Sequence, residues 1–239
     1  MKIDLFVPCF IDQLYPEIAF NTMKLFKKLM IDVEYNPEQT CCGQPAFNSG
    51  FWSESREVAT KFMSDFAGER IIVSLSASCG GFIKNKYPVL FKESEKHEEA
   101  VKFSTRVFEL TDFLVNKCKI NNTDSEFSAR ITFHDACSAI REYGLKNEAR
   151  TLLNNVKGLE IIEMEESDVC CGFGGAFSAK FDAISTAMVE RKVNNAIKTG
   201  AEYIVSTEAS CLMNMESYIK KQKLSIKTMH IANILASGI

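Results

Sequence analysis

Apolar positions recur along the chain with two periods, first that of a short strand and then that of an amphipathic helix, and the order repeats. Ile3-Asp4-Leu5-Phe6-Val7 reads as a strand, after which Leu14, Ile18, Met23, Leu25, Phe26 and Leu29 roughly fill one face of a helix. A strand over 33–35, a helix over 53–66 and the apolar run Arg70-Ile71-Ile72-Val73-Ser74-Leu75 follow, the last of a kind buried inside parallel sheets. Beyond residue 130 the same succession is predicted: strand 131–133, helix 141–156, strand 159–164, a long helix over 182–199 and strand 203–206. Segments 107–114 and 228–235 match in character, each a short strand leading into a helix. This alternation predicts an α/β protein of two similar, duplicated domains, each a mainly parallel sheet flanked by helices. The polar, turn-prone stretch Lys119 to Glu126 puts the boundary near residue 124, giving domains 1–124 and 125–239.

The cysteines carry the duplication most clearly. They stand at 9, 41, 42, 79, 118, 137, 170, 171 and 211, so that all four members of the first group recur about 130 residues later. A period this long indicates duplicated domains rather than stacked solenoid units. Cys118 alone has no counterpart; it lies in a helical pattern and reads as an inert apolar residue. The other eight fall at the C-terminal ends of strands or in the loops after them, where parallel sheets place ligands. Adjacent pairs suit a single tetrahedral zinc poorly, since its ligands are usually spaced two to four residues apart, whereas a cluster offers several irons to neighbouring thiolates. Gly80-Gly81 and Gly172-Phe173-Gly174-Gly175 follow thiols and are expected to aim backbone N–H groups at sulfur. Zinc held by a non-catalytic scaffold, and disulfides in an empty oxidised site, are the competing readings.

Composition narrows the class. Hydrophobic residues at 46% and charged residues at 25% are ordinary for a globular domain, and 28 Lys plus Arg against 31 Asp plus Glu leave a charge of −3, which argues against nucleic acid. No apolar run reaches the length of a membrane span, and Met1 to Phe10 is unlike a signal peptide, so a cytoplasmic protein is expected. Nine cysteines in a reducing compartment point to metal or redox chemistry.

The motifs Phe6-Val7-Pro8-Cys9, Thr40-Cys41-Cys42-Gly43-Gln44-Pro45, Cys170-Cys171-Gly172-Phe173-Gly174-Gly175, Cys211-Leu212-Met213 and Met229-His230-Ile231-Ala232 resemble those of the cysteine-rich CCG-domain iron–sulfur family. That family includes the cysteine-rich chain of heterodisulfide reductase, and the sequence is most similar to the lactate-utilisation, LutA-type branch. The resemblance implies an iron–sulfur electron-transfer subunit of a three-protein system, with LutB-like and LutC-like partners, that oxidises L-lactate to pyruvate. It implies iron–sulfur clusters of the 4Fe–4S type, one or two per chain, on Cys9, Cys41, Cys42 and Cys79 and on Cys137, Cys170, Cys171 and Cys211. The heterodisulfide reductase chain closes each motif with a further cysteine; here Phe82 and Asn214 stand in those positions. A four-thiol cubane, a cluster with an open iron, an empty first half, and a thiol or disulfide redox role all stay open on this reading.

Among other residues, His134 and Arg141 flank Cys137 and are candidates to hydrogen-bond the ligands or grip a substrate carboxylate, as are Gly172, Gly174 and Gly175 to approach the centre; a strand-end His and a surface Arg are the simpler alternatives. His230 is expected to be structural, His97 to lie on a solvated face, and Trp52 and the phenylalanines to serve packing.

Overall fold

In the computed structural model, which describes residues 1–238, the first half runs β1 (Lys2–Phe6), α1 (Cys9–Leu14), α2 (Pro16–Lys28), β2 (Asp32–Glu34), α3 (Gln44–Asn48), α4 (Trp52–Asp65), β3 (Ile72–Ser74), α5 (Ala77–Leu90), α6 (His97–Ser104), β4 (Val107–Glu109) and α7 (Leu110–Asp112). A π-helical turn, Phe113–Lys117, prolongs α7. The second half has β5 (Glu126–Phe133), a π-helical turn at Ser138–Tyr143, α8 (Glu148–Leu153), β6 (Lys157–Ile161), α9 (Ala176–Lys180), α10 (Asp182–Lys198), β7 (Tyr203–Ser206), α11 (Ala209–Gln222), β8 (Lys227–His230) and α12 (Ile231–Leu235). Each half forms one four-stranded sheet, ordered β2-β1-β3-β4 and β6-β5-β7-β8, and every pairing is parallel. Asp4 pairs with Ile72 and Thr132 with Ile204 in corresponding places. In both sheets the strand order reverses between the first strand and its neighbours, and the carboxyl ends of β1, β3, β5 and β7 border that switch point.

Two expected helices are broken for local reasons. The helix expected from Leu14 to Leu29 is two, because Tyr15 precedes Pro16, whose ring disfavours helical backbone before it; Tyr15 takes φ −138°, ψ 49° and Pro16 opens α2. The helix expected over 141–156 is instead the π-helical turn and α8, separated where Gly144 adopts φ +94°. Apolar spacing alone runs through both breaks. Trp52 is 61% exposed rather than part of the core.

The sheets share one core. Leu5, Phe26, Val73 and Phe113 of the first half pack in a single cluster with Ile131, Phe133, Leu152 and Leu235 of the second. Burying side chains of this size contributes roughly 1.5–3 kcal/mol each, so the halves are joined apolar face to apolar face. Each sheet's other face has a separate cluster, around Phe62 and Tyr87 in one half and around Val193 and Met215 in the other.

Near the cysteines the halves meet through close contacts. Gly80 and Gly81 lie inside α5, not in a loop, and their lack of side chains lets the Ser138–Tyr143 turn approach: a Cβ on Gly81 would stand 3.0 Å from the backbone nitrogen of Tyr143. The ring of Phe10 contacts that of Phe173, with centroids 5.8 Å apart. Glu208, 3% exposed, reaches from the start of α11 to the start of α5, accepting from Ser76 Oγ at 2.9 Å and from the Ser78 N–H at 3.0 Å. A buried carboxylate thus caps a cysteine-bearing helix of the opposite half.

Candidate functional site

Cys9 is the first residue of α1, directly after β1, and Cys79 lies in the first turn of α5, after β3. Cys41 and Cys42 come between them in space from the loop joining β2 to α3. The four thiols are close enough to act on one another in turn: Cys42 and Cys9 act on Cys41, and Cys79 acts on Cys42. Cys137, Cys170, Cys171 and Cys211 repeat this, with Cys137 and Cys171 acting on Cys170, and Cys211 on Cys171. Among the described residues all nine cysteines are free thiols. The two sets expected from spacing are each brought together.

The loops are held identically. Gly43 and Gly172 take φ +91° and +87°, a left-handed conformation that costs an L-residue side chain strain. In it, the N–H of Gly43 points to Cys41 Sγ and that of Gly172 to Cys170 Sγ, both at 3.4 Å. Ser55 Oγ donates to the Gly43 carbonyl at 3.0 Å, and Ser185 Oγ to that of Gly172 at 2.8 Å, fastening each loop to the following long helix. The carbonyl of the second cysteine is capped as well, by Tyr87 OH at 2.8 Å for Cys42 and by Asn214 Nδ2 at 2.9 Å for Cys171. Asn214, standing where the heterodisulfide reductase motif would carry a further thiol, therefore supports the loop, while Phe82 packs its ring edge-on to Phe47 and Tyr87.

In each set the first cysteine of the adjacent pair is held below its ordinary range by its neighbours. Hydrogen bonds from Cys42 and Cys9, against the opposing effect of burial, hold the Cys41 thiol well below its ordinary range, with the Gly43 N–H assisting. Cys137, Cys171 and the Gly172 N–H do the same for Cys170. Donation to these thiolates pushes Cys9, Cys42, Cys137 and Cys171 up, and burial adds to it. Cys211 is lowered to about 7 by its bond with Cys171, against the opposing effect of burial. Soft sulfur donors arriving from three chain segments, with glycine N–H groups aimed at one of them in each set, suit an iron–sulfur centre.

The surroundings of the two sets differ. Beside the first, Phe6 and Phe62 pack edge-to-face with centroids 4.7 Å apart. The repeat places His134 and Lys192 in those positions of the second half, both buried. His134 has an imidazole nitrogen within 4.8 Å of both Cys171 and Cys211 Sγ. Lys192 Nζ donates to the carbonyl of Ser167 at 3.1 Å and to that of Glu166.

The remaining candidates fall elsewhere. Arg141 is exposed and makes no ion pair among the described residues. The arginine engaged near Cys137 is Arg150, which grips both carboxylate oxygens of Asp135 at 2.8 Å. Gly174 and Gly175, at φ +53° and +61°, form the turn into α9. The sulfur-directed glycine N–H groups are those of Gly43 and Gly172, while Gly80 donates to Ser76 within its helix turn. Cys118 closes the Phe113–Lys117 turn against the shared core, apart from both sets, and burial pushes its thiol up. His230 is 2% exposed and caps α12 by accepting from the Ala232 N–H; His97 Nδ1 lies 3.1 Å from the Pro88 carbonyl. Glu208, Lys192 and Arg150 are hidden in the sequence because each is one charged residue in an ordinary helical or strand-end context.

Comparison with known proteins agrees with this geometry. The cysteine-rich domain model, CCG, matches twice, at residues 3–84 and 131–216. Lactate utilization protein A 2 of Bacillus cereus (strain Q1) is 35% identical over 240 residues, covering 100% of this chain and 99% of that protein. Lactate utilization protein A of Geobacillus thermodenitrificans (strain NG80-2) is 37% identical over 236 residues, covering 98% of each. Among solved structures, a hypothetical protein from Helicobacter pylori superposes with a TM-score of 0.62 at 12% identity, covering 100% of this chain and 49% of that one, a likeness of fold alone. With a twofold family match and full-length relatives above 30% identity, the chain belongs to the cysteine-rich CCG-domain family, in the branch of the lactate utilization A proteins.

Proposed function

We propose that this chain is an iron–sulfur electron-transfer subunit of a multi-protein system that oxidises L-lactate to pyruvate, working with LutB-like and LutC-like proteins in the cytoplasm. The observation that carries the reading is the duplicated convergence of four thiols, one set per half, in a chain whose full-length relatives bear the name lactate utilization protein A. A bound 4Fe–4S centre, one or two per chain, supplies a one-electron relay between partner centres. The chain's own contribution is to hold its thiolates at fixed positions, to direct the Gly43 and Gly172 N–H groups at sulfur, and to set how dry each site is. Among the described residues no helix is long and apolar enough to cross a membrane. Phe82 and Asn214, where a fifth thiol would serve heterodisulfide chemistry, have packing and capping partners of their own, which favours the lactate reading.

The test is anaerobic reconstitution with iron and sulfide, followed by mixing with the LutB-like and LutC-like proteins. L-lactate is expected to bleach the iron–sulfur absorption of the mixture and to form pyruvate, and Cys170→Ser is expected to stop both. Pyruvate formation at an unchanged rate when this chain is left out, or bleaching that responds to a disulfide and not to lactate, would overturn the proposal.

A further inference from the structure

The two thiol sets share a backbone frame, so a difference in what touches their sulfurs is informative. In the first half Cys41, Cys42 and Cys79 lie against an aromatic cluster that includes Phe6, Phe62, Phe82 and Tyr87. In the second, the residue matching Phe6 is His134, fully buried. An unpaired buried polar atom costs about 1–3 kcal/mol, and although His230 also leaves its Nε2 unpartnered, among the described residues only His134 does so beside cysteine sulfurs.

His134 satisfies only one ring nitrogen. Its Nδ1 lies 3.2 Å from the Ser167 carbonyl. A carbonyl only accepts, so Nδ1 is the nitrogen that donates to it, and Nε2 is the ring nitrogen left for another partner. That Nε2 is shielded from solvent and has no hydrogen-bond partner. The ring's ligand atom, Cys171 Sγ and Cys211 Sγ all lie within 4.8 Å of one another. An imidazole that donates one ring N–H to a backbone carbonyl while standing beside cysteine sulfurs is the usual arrangement of a metal-ligating histidine.

The support behind the ring is itself built. The Ser167 carbonyl also accepts from the Asp135 N–H at 3.1 Å and from Lys192 Nζ at 3.1 Å. Ser167 Oγ donates to Asp135 Oδ2 at 2.8 Å, and Arg150 holds both oxygens of that carboxylate. The first half offers none of this at Phe6, Val7 and Phe62, the corresponding positions.

We propose that His134 binds iron through Nε2 in the second thiol set, beside Cys171 and Cys211, so that the two halves hold centres of different coordination, all-thiolate in the first and mixed imidazole–thiolate in the second. This rests on the iron–sulfur reading above. With His134 holding one iron in place of one of that set's four thiolates, a neutral ligand raises the cluster's potential, so the second centre is the better electron acceptor of the two. Electrons then run from the first half toward the second.

The test uses the full chain, reconstituted anaerobically with iron and sulfide and partly reduced. Pulsed electron paramagnetic resonance is expected to show a strongly coupled imidazole nitrogen in the wild type and in Cys9→Ser, and to lose it in His134→Phe, the residue the first half carries. His134→Cys, which keeps a donor there should the Phe variant fold poorly, is expected to retain iron, lack the nitrogen coupling and show a more negative midpoint potential. Iron-loaded wild type without nitrogen coupling, or coupling that survives both His134 variants, would overturn the assignment while leaving the iron–sulfur reading intact. Protein without iron and sulfide would overturn both.

Discussion

Gly172 provides a test whose size follows from three glycine environments. Alanine at Gly50 meets no atom within 4 Å, so Gly50→Ala isolates the strain of a positive φ, about 1–2 kcal/mol, against a gain of about 0.4–1 kcal/mol from a stiffer unfolded chain. At Gly43 a Cβ would meet the Ser55 carbonyl oxygen at 3.1 Å, a tightness that a few tenths of an ångström relieve. At Gly172 the Cβ would stand 2.7 Å from the Ser185 carbonyl oxygen and 3.0 Å from the Met188 Cβ. The shorter distance is one that real Cβ atoms essentially never show and it is to a backbone oxygen, so the loop itself must shift, against the Ser185 Oγ bond that ties it to α10 at 2.8 Å. Overpacking of this kind adds about 1–3 kcal/mol, so Gly172→Ala is expected to cost roughly 2–4 kcal/mol, more than Gly43→Ala and well above Gly50→Ala. Urea unfolding of the metal-free chain, followed by circular dichroism, reads the order. Iron bound by the reconstituted variants then shows whether turning the Gly172 N–H away from Cys170 empties the second set. A Gly172→Ala variant no less stable than Gly50→Ala would refute the view that this loop is pressed onto its helix.

Cys170→Ser and Cys171→Ser are expected to lose iron from the second set while Cys118→Ser keeps the wild-type content by colorimetric iron assay; equal losses at all three would contradict the ligand assignment. Glu208→Ala strips the Ser76 hydroxyl and Ser78 N–H of their buried acceptor and is expected to destabilise by about 2–4 kcal/mol in urea, with Glu208→Gln milder. Burial lowers His230 from 6.5 to about 4, so its neutral form stabilises the fold above pH 6.5, and up to about 3 kcal/mol is lost as pH falls from there toward 4. Burial also raises Glu109 from 4.5 to about 7, against the bonds from Thr111; that contribution is full below pH 4.5 and is lost as pH rises through 7. Unfolding in urea at several pH values is expected to show His230→Asn flattening the acid limb and Glu109→Gln flattening the neutral one.

Much of this architecture could be read from spacing. The recurrence of Cys41-Cys42-Gly43 as Cys170-Cys171-Gly172, and the strand-like runs before Cys9, Cys79, Cys137 and Cys211, placed the thiols at one edge of duplicated parallel sheets. What spacing does not encode is contact across the repeat. Gly80 and Gly81 look like turn punctuation until Tyr143 is seen packed against them, and Glu208 looks like a helix-start acid until its partners prove to be Ser76 and Ser78. His134 and Lys192 are likewise ordinary until set against Phe6 and Phe62, a comparison that needs the register of both helices and both strands. Helix breaks at Tyr15 and Gly144 are backbone events, invisible to a count of apolar faces.

The central claim is that each set of four sulfurs holds an inorganic core, and the direct measurement is iron and acid-labile sulfide per chain in anaerobically purified protein. Iron and sulfide in equal amounts are expected, reduced in Cys41→Ser or Cys170→Ser and abolished when both are combined. Zinc without sulfide, or neither metal nor sulfide in oxygen-free wild-type protein, would contradict the account.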